Sequence, residues 1–156
     1  MFSRRELLKG AAASSMLLPL LGTGLLTPAR ALAAPWNGGL FSIRNIDDAL
    51  KAYGAAGAGE SRDIQLIAPE IAENGAKVDI EITSNLPETR SIAVFSDKNP
   101  MPLCAAIEFS GNTLPYCRVQ LKLAETTRVR AVVRTADGKA HIASREVKVT
   151  VGGCGG

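Results

Sequence analysis

The residue best placed to do chemistry is Cys154, which lies between two pairs of glycines in residues 152–156, called here the cysteine arm. Glycine has no Cβ and accepts φ of either sign, so the arm has almost no conformational preference of its own. From Val151 to Cys154 an extended chain reaches roughly 10 Å at about 3.3–3.6 Å per residue. We predict that the thiol enters the cleft of another protein. The alternative is a frayed tail with an incidental cysteine, although exposed free thiols are usually avoided unless they have a use.

Two further cysteines, Cys104 and Cys117, raise the question of a disulfide. In an oxidising compartment two of three cysteines often pair, and a Cys104–Cys117 bridge would spare Cys154. The strand pattern argues against this pair, because Cys117 alternates in phase with core residues whereas Cys104 shares its side with Glu108. A bridge between two sheets or an irregular strand would still allow it. Otherwise we expect Cys117 to be a plain buried hydrophobic residue, and neither cysteine to be catalytic.

No cofactor or metal is predicted from the motifs. The sequence lacks a CxxCH haem motif, a His and Cys cluster with zinc spacing and a glycine-rich phosphate loop, and it has one histidine, His141. A lone histidine on a strand after Asp137-Gly138 is typical of a surface residue, so we do not expect it to act as a base for the thiol. A stand-alone enzyme is disfavoured, since no nucleophile pair or metal site can be assembled.

The N-terminal residues predict export. Residues 3–9 carry twin arginines, an apolar stretch follows over residues 10–26, and residues 31–33 form a small-residue cleavage pattern. Together they indicate a twin-arginine signal peptide over residues 1–33, cleaved to leave a periplasmic protein. The alternative, a retained membrane anchor, is disfavoured by proline and glycine within the apolar stretch. Because twin-arginine export moves folded proteins and no cofactor motif is present, export in a preassembled complex is favoured.

Charge excludes two classes of partner. Four of the 18 Lys and Arg and one of the 15 Asp and Glu lie in the signal, so the remainder has 14 of each and no net charge. No basic run is interleaved with aromatic residues, which argues against nucleic-acid binding. Membrane binding after signal cleavage is equally unsupported. At about 120 residues the remainder is one domain.

The elements that position the arm follow from periodicity. Residues 34–62 form an N-terminal segment with one short helix, whose apolar residues recur at i, i+3, i+4 and i+7: Ile46, Ala49, Leu50 and Tyr53. Asn45 is the predicted N-cap and Gly54 the predicted stop. From residue 63 to 151 the period changes to two, with turn residues between the apolar runs. These runs are Ile64/Leu66, Val78/Ile80/Ile82, Ile92/Val94, Leu103/Ala105/Ile107/Phe109, Cys117/Val119/Leu121/Leu123 and Val129/Ala131/Val133.

About seven short strands without intervening helices predict an all-β, immunoglobulin-like antiparallel β-sandwich. In the last strand Ile142 has one parity and Val147, Val149 and Val151 the other, so we expect a bulge near Ser144. Burial of the three valines would hold the arm rigid up to about Val151. The face that meets a partner is left open between Ile92 with Val94 and the polar side of the last strand, which carries Glu146 and Lys148.

The C-terminal residues 149–156 (VTVGGCGG), after a twin-arginine signal and a β-rich domain, resemble the SoxY family of sulfur carriers. The likeness continues through residues 68–76 (APEIAENGA), residues 98–103 (KNPMPL) and the last two strands. Cys104 and Cys117 depart from the single cysteine expected in such carriers.

The resemblance implies covalent attachment of sulfur intermediates of thiosulfate oxidation at Cys154, with Gly152, Gly153, Gly155 and Gly156 as the flexible arm. It implies a heterodimer with a SoxZ-like subunit, a c-type cytochrome that conjugates thiosulfate, a hydrolase that releases sulfate, and a sulfur dehydrogenase component. The protein would be a carrier and not an enzyme. The other interpretations are a periplasmic thiol redox or metal-handling protein and a structural immunoglobulin-like module with an incidental cysteine.

Overall fold

The computed structural model describes residues 38–151, so the predicted signal over residues 1–33 and the cysteine arm lie outside the described residues. In chain order the described elements are a 3₁₀ helix (Gly38–Ser42), helix α1 (Ile46–Tyr53), and strands β1 (Gly59–Glu60), β2 (Ile64–Ile67), β3 (Ile71–Ala72), β4 (Val78–Ser84), β5 (Thr89–Ser96), β6 (Leu103–Glu108), β7 (Tyr116–Leu121), β8 (Thr127–Thr135) and β9 (Ala140–Val149). No helix in this part is long and apolar enough to cross a membrane.

Helix α1 begins and ends at the predicted residues. The Asn45 side chain accepts hydrogen bonds from the backbone N–H groups of Asp47 (2.8 Å) and Asp48 (3.1 Å), which have no partner within the helix. At the other end Gly54 has a φ of 84°, a left-handed conformation that glycine adopts without a steric cost. Local chemistry alone therefore sets both ends of this helix.

Two sheets form an antiparallel β-sandwich, as predicted. The larger sheet has the strand order β1-β9-β8-β5-β6, with β3 also paired to β9, and the smaller sheet has the order β2-β4-β7. The pairings of β1 and β3 with β9 are parallel and the others are antiparallel. These two-residue strands were not predicted, because two residues are too few to show a period.

The larger sheet is buried on both faces. Ile92 and Val94 face the core between the sheets, whereas Ala93 and Phe95 face a second core beneath α1, and all four are fully buried. The Tyr53 ring meets the Phe95 ring edge to face at 5.8 Å between centroids. Ile92 and Val94 were suggested as a partner-binding face, and this suggestion is wrong because neither is accessible.

The second core also explains why the predicted bulge near Ser144 is wrong. Strands β8 and β9 pair in one continuous register from Thr127 opposite Val147 to Arg134 opposite Ala140. Ile142 packs beneath α1, and Val147 packs between the sheets. The change of parity in the sequence therefore records two cores on opposite faces of one regular strand.

Irregular pairing occurs instead in β5, where the register shifts against β8 between Thr89 and Ser91 and against β6 between Val94 and Phe95. Val94 pairs with Ala105 and Phe95 pairs with Leu103, which leaves Cys104 as an extra residue. Leu103 consequently packs beneath α1, while Cys104 and Ala105 pack against the core between the sheets. The prediction that Leu103 shares a face with Ala105 is wrong, and so is the prediction that Cys104 points away from the core, because a bulge inverts the alternation on one side of it.

Candidate functional site

The described structure shows the base from which the cysteine arm leaves the domain. We call residues 147–151 the arm root. Val147 is fully buried, Val149 is half-buried, and Val151 is 61% exposed. The prediction that all three valines are buried is therefore wrong for Val151. Strand β9 ends at Val149, which packs at the edge of the core, so burial alone does not position the last two residues of the root.

Hydrogen bonds fix the arm root where burial ends. The backbone N–H of Thr150 donates to the carbonyl of Ala72 at 3.1 Å, and the Thr150 hydroxyl donates to the carbonyl of Glu73 at 2.8 Å. The N–H of Gly75 then donates to the carbonyl of Val151 at 2.7 Å. The segment from β3 to Gly75 thus holds the root up to Val151, with each bond contributing about 0.5–1.5 kcal/mol net.

Sequence reasoning missed the role of this segment. The Asn74 side chain accepts a hydrogen bond from the Ala76 N–H at 2.8 Å, which closes a turn at Asn74-Gly75. The one sequence feature that pointed to this segment was the short apolar pair in β3, Ile71 and Ala72, just before the turn. Its partner strand lies more than 70 residues away along the chain, so no local pattern could identify the pairing.

The polar residues suggested near the arm lie on the outside of β9. Glu146 and Lys148 are both exposed, as their parity predicts. His141 is at the other end of the same strand, where it pairs with Gly59 of β1. Val149 is the eighth residue after His141, which is roughly 26 Å at about 3.3 Å per residue. The structure therefore does not bring His141 to the arm root.

Cys104 is a thiol that the fold keeps protonated. It accepts a hydrogen bond from the Asn99 side-chain amide at 3.6 Å and donates to the carbonyl of Pro102 at 3.4 Å. Burial raises the pKa of Cys104 to about 11, against a smaller lowering by the Asn99 hydrogen bond. Because the thiolate is the reactive form, Cys104 is a poor nucleophile near neutral pH.

Cys117 lies in β7 opposite Ile82, with its side chain packed against the core between the sheets. Burial raises the pKa of its thiol as well. The structure confirms Cys117 as a core-facing residue, although it is half-buried and not fully enclosed.

Cys104 and Cys117 are both free. The Asn99 amide that contacts Cys104 also donates to the carbonyl of Lys122 at 2.8 Å, which places Cys104 level with Lys122. Cys117 lies in β7, five residues before Lys122, which is roughly 17 Å along an extended chain at about 3.4 Å per residue. The structure therefore holds the two thiols apart and forms no disulfide between them.

No group of three or more His, Cys, Asp or Glu side chains that could hold a metal ion occurs among residues 38–151. Every buried side-chain nitrogen or oxygen in the same residues has a hydrogen-bond partner. The described part thus presents a satisfied β-sandwich whose distinctive feature is a hydrogen-bonded root for the arm. A β-sandwich of this kind, with Cys104 and Cys117 facing its core and a third cysteine in the sequence beyond the root, is the class of protein to be compared with known families.

Comparison with known proteins identifies the family. The model of the SoxY family, sulfur oxidation protein SoxY, matches residues 50–154, so its match reaches Cys154. The sulfur carrier protein SoxY from Chlorobium limicola f thiosulfatophilum is 35% identical, covers 69% of this chain and 97% of its own, and superposes with a TM-score of 0.61. This chain belongs to the SoxY family, and its role is that of a sulfur carrier in sulfur oxidation.

A more distant likeness concerns the fold alone. A superoxide reductase (neelaredoxin) from Ignicoccus hospitalis is 19% identical, with coverage of 73% of this chain and 98% of its own and a TM-score of 0.50. No curated protein matches the sequence. At this level of identity the resemblance to superoxide reductases describes a shared arrangement of strands and carries no statement about reaction.

Proposed function

We propose that this chain carries sulfur intermediates of thiosulfate oxidation covalently on Cys154 and presents them to partner enzymes. The observation that carries the proposal is the family match, which runs through the sandwich and ends at Cys154. The unreactive state of Cys104 and the burial of Cys117 support it, because they leave Cys154 as the cysteine available for loading.

The loading step is an oxidation. The thiol and the outer sulfur of thiosulfate form a sulfur–sulfur bond, R–SH + S₂O₃²⁻ → R–S–SSO₃⁻ + H⁺ + 2e⁻, and two haem equivalents of a c-type cytochrome accept the electrons. Hydrolysis then follows as R–S–SSO₃⁻ + H₂O → R–S–S⁻ + SO₄²⁻ + 2H⁺. The persulfide sulfur left on Cys154 is the substrate for a sulfur dehydrogenase component. The carrier contributes the thiol and its delivery, and the enzymes contribute the chemistry.

The sequence of the arm suits this division of work. An ordinary thiol is mostly protonated near neutral pH, so the thiolate must form inside the pocket of the enzyme that receives it. Gly152, Gly153, Gly155 and Gly156 have no side chains, so one peptide can enter several unrelated narrow channels.

The proposal includes the setting of the carrier. The twin-arginine signal over residues 1–33 directs the protein to the periplasm, where soluble c-type cytochromes are found. A SoxZ-like subunit forms the heterodimer in which the carrier works. The twin arginines within residues 3–9, the apolar stretch over residues 10–26 and the lack of a cofactor motif support these statements.

Intact mass measurement tests the proposal. The protein is purified without reductant from thiosulfate-grown cells, beside Cys154→Ser and Cys104→Ser variants. We expect adducts of sulfur, thiosulfonate or sulfonate on the wild type and on Cys104→Ser, and none on Cys154→Ser. An unmodified thiol, or adducts that persist in Cys154→Ser, would favour the redox or structural interpretation instead.

A further inference from the structure

We propose that the end of the sandwich carrying Ile71, Met101 and Val151, called here the docking patch, is the surface on which the enzymes acting on Cys154 bind. The inference rests on the proposed function and goes further by naming the surface and the kind of partner. The partner is an enzyme whose reacting group lies at the bottom of a short channel with an apolar rim.

The loops at this end form one connected platform. The Asn99 side chain in the β5–β6 loop donates to the Lys122 carbonyl at 2.8 Å and accepts from the Ala124 N–H at 3.1 Å. The N–H of Leu123 donates to the carbonyl of Gly75 at 2.7 Å, and the Gly75 N–H donates to Val151. A continuous series of hydrogen bonds therefore joins the loop that carries Met101 to the root of the arm.

Three exposed apolar side chains lie at this end of the sandwich. Six large hydrophobic residues are well exposed in the described chain: Ile67, Ile71, Met101, Leu114, Tyr116 and Val151. Ile71, Met101 and Val151 are 60%, 53% and 61% exposed, and each lies on a segment tied to the arm root. Leu114 and Tyr116 lie at the opposite end, where the Pro115 carbonyl accepts from Ser84 at the end of β4.

The length of the arm requires a partner at this surface. Cys154 is the third residue after Val151, and an extended chain spans roughly 10 Å over that distance. An enzyme that reaches the sulfur must bring its channel within that distance of Val151, so its surface covers the residues beside the root. Ile71 is such a residue, because its strand pairs with β9 three residues before Val151.

Charge at this end does not select the partner. The exposed charged residues around the platform have both signs, among them Glu70, Glu73, Glu125, Lys98, Lys122 and Lys148. A mixed rim gives little long-range attraction, and a binding step governed by apolar contact changes little with ionic strength. One carrier can then serve several enzymes that share an apolar rim and differ in overall charge.

Enzyme kinetics test the docking patch. The carrier, with its partner subunit, is given to the c-type cytochrome that loads thiosulfate, and loading is followed by intact mass over a range of carrier concentrations. Ile71→Glu and Met101→Glu place a charge on the patch, with Ile71→Ser and Met101→Ser as milder changes. Leu114→Glu is the matched control, since Leu114 is 72% exposed and lies at the far end of β7.

We expect each glutamate variant to raise KM for the carrier about tenfold, the effect of losing one apolar contact in a binding hot spot. Both kcat and the rate of Cys154 alkylation by iodoacetamide should remain unchanged, and Leu114→Glu should behave as the wild type. An unchanged KM in Ile71→Glu and Met101→Glu would overturn the docking patch. Loss of the heterodimer in these variants would also overturn it, because the patch would then belong to the interface with the partner subunit. If the wild type is not loaded at all, the proposed function fails instead.

Discussion

The backbone N–H of Gly75 donates a 2.7 Å hydrogen bond to the carbonyl of Val151, the last described residue before the cysteine arm. Gly75 is buried and its own carbonyl accepts from Leu123, so the bond connects the arm root to both sheets. A 61% exposed valine is thus held by its backbone and not by its side chain. The chain is therefore held by hydrogen bonds up to Val151, and the glycine-rich sequence begins at the next residue.

Removing a bond from the root should loosen it locally. Thr150→Val deletes the hydroxyl that donates to Glu73, and we expect a loss of about 1 kcal/mol in the free energy of unfolding and a melting temperature lower by about 4 °C. Hydrogen exchange should increase at residues 147–151. Thr113→Val is the control, because its hydroxyl bonds the Ser110 carbonyl in a loop at the opposite end. Equal exchange at the root in both variants would contradict this role of Thr150.

The cysteines should differ sharply in reactivity. Iodoacetamide at pH 8 should label Cys154 rapidly and leave Cys104 unmodified, because a pKa of about 11 leaves on the order of one thiolate in a thousand. Cys117, half-buried and with a raised pKa, should react slowly. Peptide mapping of the labelled protein measures this order. Denatured protein should label at all three positions, and rapid labelling of Cys104 in the native state would show that its burial is wrong.

Alkaline pH should destabilise the domain through Cys104. Its pKa is raised in the folded state from 9.0 to about 11, so the stability it contributes is complete below pH 9 and is lost as pH rises through about 11. Burial also raises the pKa of Tyr53, which acts in the same direction above pH 10. Urea unfolding at pH 8, 9, 10 and 11 should show a falling free energy of unfolding. The fall should be smaller in Cys104→Ala, and an identical slope in that variant would exclude Cys104 as a cause.

The contact between α1 and the larger sheet should depend on one buried hydrogen bond. The Tyr53 hydroxyl and the Ser91 hydroxyl are 2.8 Å apart, and both side chains are buried. Tyr53→Phe leaves the Ser91 hydroxyl without this partner, so we expect a cost of about 1–3 kcal/mol in the free energy of unfolding. A double-mutant cycle with Ser91→Ala measures the coupling. Additive losses would mean that the two hydroxyls do not interact.

The sequence alone determined the features that depend on neighbouring residues. Asn45 caps α1 and Gly54 ends it because the groups involved lie within a few residues of one another. The alternation in β2 and β4 is correct because one face of each strand lies outside the sandwich. The prediction that residues 152–156 deliver a thiol likewise uses only local composition, since glycine has the same freedom in any fold, and it stays a prediction.

Tertiary structure decided which core each apolar face meets. Ile142 and Val147 differ in parity because α1 covers one face of β9 and the smaller sheet covers the other, whereas the sequence records only that both are apolar. The bulge at Cys104 and the pairing of Ile71 with Lys148 depend on strands distant along the chain. The same long-range contacts bring Met101 and Val151 to one end of the sandwich. No pattern with a period of two or 3.6 residues contains that information, because loop closure over such separations is decided by packing of the whole domain.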